Sequence, residues 1–108
     1  MWFDRYIERD ILSAVQSRPV LLLTGARQTG KSSLLQRMFK DLEYITLDSI
    51  QYAEQAKENP DYFLGSFKQA VILDEIQYAP EIFRYIKILV DQNRKHYGKW
   101  ILTGSQKF

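Results

Sequence analysis

Thr24-Gly25-Ala26-Arg27-Gln28-Thr29-Gly30-Lys31-Ser32-Ser33 follows the apolar run Val20-Leu21-Leu22-Leu23 and carries the phosphate-loop pattern G-x-x-x-x-G-K-[ST] at Gly25, Gly30, Lys31 and Ser32. The pattern has chemical meaning between a buried strand and the start of a helix, and both flanks read that way here. Gly25 and Gly30 accept backbone turns that other residues resist. The loop N–H groups can then converge into an anion-binding nest. The N-terminus of the following helix adds its positive dipole end. Lys31 brings a point charge to the β- and γ-phosphates, where it serves catalysis as well as binding, and Ser32 brings a hydroxyl to Mg²⁺. Nucleotide contact is expected from Gly25, Ala26, Arg27, Gln28, Thr29, Gly30, Lys31, Ser32 and Ser33.

The chain has 108 residues, which allows at most one domain. Its hydrophobic share of 45% is enough for a core and places it outside the disordered class. A formal net charge of +2 is too small to argue for a nucleic-acid surface. The absence of cysteine removes disulfides, zinc clusters and thiol nucleophiles together. Met1-Trp2-Phe3-Asp4-Arg5 lacks the basic and long apolar segments of a signal peptide. No run approaches the roughly 20 apolar residues of a membrane span. A cytoplasmic setting is expected.

Tyr6, Ile7, Ile11, Leu12 and Val15 fall on one stripe of a helix over residues 4–17, which Arg18-Pro19 ends. Residues 20–24 read as a strand. Residues 30–40 read as a helix with Leu34, Leu35, Met38 and Phe39 inward. Residues 43–47 form a second strand, and Asp48-Ser49 can cap a polar helix over 50–58. Residues 61–68 predict a short helix with Tyr62, Phe63 and Phe67 inward. Ala70 to Leu73 is a third strand. Pro80 can open a helix carrying Ile82, Phe83, Ile86, Leu89 and Val90. Asp91 to Lys99 reads as a solvated connection, and residues 100–103 as a last strand. Short apolar strands alternating with helices predict an α/β fold, a parallel sheet with helices on both faces. Ligands of such sheets bind beyond the carboxyl ends of the strands.

Asp74 and Glu75 fall at such an end, after Val71-Ile72-Leu73, in the form of a Walker B segment. Asp74 can hold Mg²⁺ through bound water, so Ser32 and Asp74 are the candidate metal residues. Glu75 is placed to deprotonate an attacking water. Ile101-Leu102-Thr103-Gly104-Ser105-Gln106 ends another strand in small polar groups. Thr103 or Ser105 could contact the γ-phosphate there, and both remain candidates.

Taken together, Gly25 to Ser32, Leu73-Asp74-Glu75-Ile76-Gln77 and Leu102-Thr103-Gly104-Ser105 resemble a prokaryotic family of AAA-type ATPases whose full-length members carry a C-terminal domain of unassigned function. Tyr6-Ile7-Glu8-Arg9 is similar to that family as well. The resemblance implies a three-layer P-loop NTPase core of the ASCE type, with the last strand between the loop strand and the acidic strand. It implies ATP and Mg²⁺ as ligands, Glu75 as the base, and a nucleotide base bordered by Tyr6, Ile7 or Arg9. It also implies a fifth strand, a helical lid and a second domain beyond Phe108, so residues 1–108 are expected to be an N-terminal portion that is incomplete at its C-terminal side. The loop strand would then be an open edge prone to self-association or to a protein partner.

Two other readings use the same residues: a nucleotide-binding interaction module with little turnover, and a small-molecule kinase. Glu75 beside Asp74 favours water as the acceptor, against the kinase. Arg94-Lys95-His96 reads better as a solvated loop than as a nucleic-acid contact, and nothing points to a membrane.

Overall fold

The computed structural model describes residues 4–25 and 30–105, with residues 4–6 and Gly25 as backbone only. In chain order the elements are α1 (Asp4–Ser17), β1 (Val20–Gly25), α2 (Lys31–Met38), β2 (Glu43–Thr46), α3 (Ile50–Glu58) and α4 (Pro60–Gly65). They continue with β3 (Val71–Asp74), a single 3-10 turn (Ile76–Tyr78), α5 (Ile82–Gln92) and β4 (Trp100–Ser105). The four strands form one sheet in the order β1-β4-β3-β2, with every pairing parallel. The last strand therefore lies between the loop strand and the acidic strand, as expected. Parallel pairing aligns the carboxyl ends: Gly25 lies beside Ser105, and Thr46 beside Asp74.

The period-2 rule of strands assigns the two faces. Val71, Leu73, Trp100, Leu102 and Ile45 point to one side, where α4, α5, the 3-10 turn and Ala56 of α3 cover them. Ile72 and Ile101 point to the other, against Ile11 of α1 and Leu34 and Leu35 of α2. This is the three-layer arrangement. The central strands β3 and β4 are apolar on both faces because both are covered, and Ile72, Leu73, Ile101 and Leu102 are essentially inaccessible.

Several local expectations need correction. Tyr62 was expected to pack inward but is exposed, while Phe63 and Phe67 meet edge to face in the core. Within α4 it is the adjacent pair Phe63 and Leu64 that faces the core, which turns Tyr62 to the outside. Leu12 is also exposed, because α1 presents only Ile7, Ile11 and Val15 to the sheet. Pro80 does not open α5, which starts at Ile82; it is Pro60 that takes the first turn of a helix, α4. Residues 104 and 105 continue β4 instead of leaving the sheet, held by pairing with Thr24 and Gly25. Lys99 is buried at the start of β4, its ammonium donating to the carbonyls of Phe67 and Gln69 and lying 5.1 Å from the Trp100 ring centre.

Candidate functional site

Ile72 and Asp74 are two residues apart on β3, and Ile101 and Thr103 two apart on β4. All four therefore face α1 and α2. The apolar members pack under α2, and the polar members emerge one step further, where α2 begins. Gly30 supplies that beginning. It sits before the first turn of α2 with φ 82°, a left-handed conformation that favours glycine, and its carbonyl accepts from Leu34 N–H at 2.9 Å. Lys31 and Ser32 follow as the first two helical residues.

Asp74 collects hydroxyl groups from three other elements. Ser32 Oγ of α2 donates to Oδ1 at 2.8 Å. Thr103 Oγ1 of β4 also donates to Oδ1. Tyr44 Oη of β2 donates to Oδ2. The carboxylate is only 5% exposed, so these donors replace its lost hydration. Burial, followed by the hydrogen bond to Asp74, pushes the Tyr44 phenol above its ordinary value. A charged oxygen beside a phenol favours the protonated, donating form.

The next residue turns the chain. Glu75 has φ 57° and ψ 52°, and among the described residues it is the only non-glycine with positive φ. Its N–H donates to Thr103 Oγ1 at 3.0 Å, so Thr103 accepts from Glu75 while donating to Asp74. The left-handed residue redirects the backbone into the 3-10 turn and brings Gln77 back over the strand ends. Gln77 Nε2 donates to Glu75 Oε1 at 2.7 Å, and Ser105 N–H donates to Gln77 Oε1 at 3.1 Å. Strain at a non-glycine residue of this kind persists only where surrounding contacts fix it, and such positions cluster at working sites.

The structure thus brings Ser32, Asp74, Glu75, Thr103 and Ser105 together at the carboxyl ends of β3 and β4, with Lys31 on the same turn as Ser32. Ser33, the next residue of α2, is exposed. Ala26, Arg27, Gln28 and Thr29 lie outside the described residues, as does Gln106. Of the residues expected to border a base, Ile7 is half-buried and Arg9 exposed, and the side chain of Tyr6 lies outside the described part. Ile7 and Leu23 line a groove of about 520 Å³ between α1 and β1. A second cavity of about 350 Å³, between Leu64, Val90 and Trp100, opens at the opposite end of the sheet and away from these residues.

Sequence reasoning missed Tyr44 and left Gln77 without a role. A β-rich stretch with a tyrosine at its second position reads as core, and only the pairing of β2 with β3 reveals its reach to Asp74. Gln77 depends on the backbone turn at Glu75, which residue type alone does not announce.

The donor set suits a hard cation. Ser32 and Asp74 offer oxygen only, and no group of three or more His, Cys, Asp or Glu able to hold a metal occurs among the described residues. Few protein oxygens, supplemented by phosphates and water, is the pattern of Mg²⁺. No helix among the described residues is long and apolar enough to cross a membrane.

Residues 17–108 match the family described as AAA domain. An uncharacterized protein of Mycobacterium tuberculosis and one of Mycobacterium bovis are each 31% identical to the chain over 80 residues, covering 73% of this chain and 18% of the relative. The chain therefore spans less than a fifth of the length of these curated relatives. No solved structure shows significant similarity to it.

Proposed function

The chain belongs to the AAA domain family, a class of nucleotide-binding modules, and on that premise we propose that it binds Mg-ATP at residues 25–33 and hydrolyses it with Glu75 as the base. The observation that carries the reading is the 2.8 Å contact between Ser32 Oγ and Asp74 Oδ1. It joins the first turn after the loop to the acidic strand end, where a phosphate-bound cation must be shared between them.

In this reading the loop backbone and Lys31 would take the phosphates, and Ser32 and Asp74 would hold Mg²⁺, Asp74 by way of water. Bound Mg²⁺ would neutralise charge developing on the phosphate oxygens. Thr103 keeps Asp74 and Glu75 in a fixed relation, since one hydroxyl serves both. Glu75 accepts the proton of the attacking water. Ser105 ends β4 beside Gly25, and in this reading it would face the terminal phosphate. The groove between α1 and β1 takes the base, with Ile7 along its wall. We read residues 1–108 as the N-terminal portion of a larger ATPase, a reading with which the greater length of the relatives agrees, and a cytoplasmic setting suits an ATP-dependent reaction.

Calorimetry with Mg-ATP tests binding. Lys31→Ala should weaken it by about 1.5–3 kcal/mol, the size of a charge-assisted contact. Equal affinity in the variant refutes the phosphate assignment. Glu75→Gln should bind Mg-ATP and lose turnover, and normal turnover would place the base elsewhere.

A further inference from the structure

Glu75 has a carboxylate that must be aimed as well as basic, and its own backbone does not aim it. The residue sits in a left-handed turn at the end of β3, half-buried. Thr103 fixes its N–H and nothing beyond. The side chain is held by a different set of atoms. Gln77 Nε2 donates to Glu75 Oε1 at 2.7 Å and to Ser105 Oγ at 3.3 Å. Ser105 Oγ lies 3.4 Å from the same Glu75 oxygen. Gln77 Oε1 in turn accepts the Ser105 N–H at 3.1 Å.

Both ends of one amide are therefore committed. One end grips the carboxylate of β3, and the other grips the backbone of β4 at the residue paired with Gly25. An amide can do this because it offers two donors and two acceptor sites in one plane. A carboxylate at the same position would keep the acceptor and lose the donor. A carboxylate held by an amide N–H points at a defined place, and catalysis by a positioned base falls steeply when the base is displaced.

We propose that Gln77 is a positioning residue for hydrolysis: it clamps the Glu75 carboxylate to the end of β4, so that the base is held in a fixed relation to the strand end bordering the phosphate loop. The proposal rests on the reading of Glu75 as the base. It gives Ser105 a second task, anchoring the clamp, beside facing the terminal phosphate.

The test is single-turnover hydrolysis of Mg-ATP with the full-length protein, of which these residues are read as a part, in excess, together with calorimetric affinity for Mg-ATP. Gln77→Ala should slow hydrolysis about ten- to hundredfold, the weight of one charge-assisted hydrogen bond, with affinity unchanged. Gln77→Met keeps the size and removes the donor and the acceptor without adding charge, so it should be slowed at least as much. A glutamine needed only for packing would tolerate that change. In a Glu75→Gln background, Gln77→Ala should leave the residual rate where it was, because the group it positions is gone.

Hydrolysis at the wild-type rate in Gln77→Ala overturns the proposal. So does a fall in affinity that matches the fall in rate, and so does a full Gln77→Ala effect without Glu75. If Gln77→Ala does not fold, the Gln77→Met rate decides in the same way. A wild-type rate no higher than that of Glu75→Gln overturns the parent reading, and the clamp falls with it.

Discussion

Replacing Thr103 by valine removes one oxygen and changes the shape of the side chain very little. Thr103 is fully buried, and its hydroxyl stands at the junction of the site, donating to Asp74 Oδ1 and accepting from Glu75 N–H at 3.0 Å. Valine leaves a buried carboxylate short of one donor and an N–H without its acceptor. A hydrogen bond to a charged group contributes about 1.5–3 kcal/mol and a neutral one about 0.5–1.5 kcal/mol, so the variant should lose about 3 kcal/mol. Asp74 is only 5% exposed, so little water is available to compensate. Against the roughly 5–15 kcal/mol that stabilises an ordinary domain, this is a large fraction. Urea denaturation at neutral pH measures it: the midpoint should fall while the slope stays constant. Thr103→Ser is the control. It keeps the hydroxyl and loses one methyl, at about 1 kcal/mol. The expected order of stability is wild type, then serine, then valine. Valine more stable than serine would mean that the methyl group, and not the hydroxyl bridge, accounts for threonine at this position, and the reasoning would fail.

Gly98 has φ 71°, and a Cβ there would lie 2.9 Å from the backbone oxygen of Val15, so Gly98→Ala should destabilise by about 1–2 kcal/mol or more in the same assay. Burial, and then the charge of Lys68, lower the Lys99 ammonium below its ordinary value of 10.5. Between the lowered folded value and 10.5 the unfolded chain holds the extra proton, so stability from Lys99 should rise with pH across that window, and the difference between wild type and Lys99→Met should show it. Leu22 is 40% exposed on β1, which has β4 on one side and no strand on the other among the described residues. Such an edge invites pairing between chains, so Leu22→Lys should lower concentration-dependent light scattering, and unchanged scattering would place any association elsewhere.

The layers were legible because burial on both faces writes itself as an uninterrupted apolar run, as in Val71 to Leu73 and Trp100 to Leu102. The strand order came from the resemblance and not from these runs, which say nothing about which strand neighbours which. Asp74 and Glu75 were legible as a pair at a strand end. The hydroxyl of Thr103 joining the two, and the positive φ of Glu75, were not, because both depend on how the strand ends meet in space. Tyr44 was hidden by its type: tyrosine in a β-rich stretch is ordinary core, and its hydroxyl matters only through the residue opposite. Lys99 was hidden by its neighbours, since a lysine closing the polar run from Asp91 gives no sign that its ammonium turns inward to two carbonyls.

The order β1-β4-β3-β2 also has a history written into it. Among the described residues the strand latest in the sequence, β4, occupies an interior position, and β1 has no neighbour until it arrives, since Val20 pairs with the level of Trp100. Contacts this distant in sequence are slow to form, because the intervening chain must be closed before any pairing rewards it. A growing chain that has released β1, β2 and β3 can join the last two but must leave Val20 to Leu23, apolar and uncharged, bare along both edges. That interval is when the chain is most exposed to misassociation and most in need of protection. The arrival of residues 100–105 then joins β1 to β3 and, in the same step, brings Thr103 and Ser105 to Asp74 and Glu75. The strand that gives β1 its neighbour is thus also the strand that supplies Thr103 and Ser105 to the acidic end of β3.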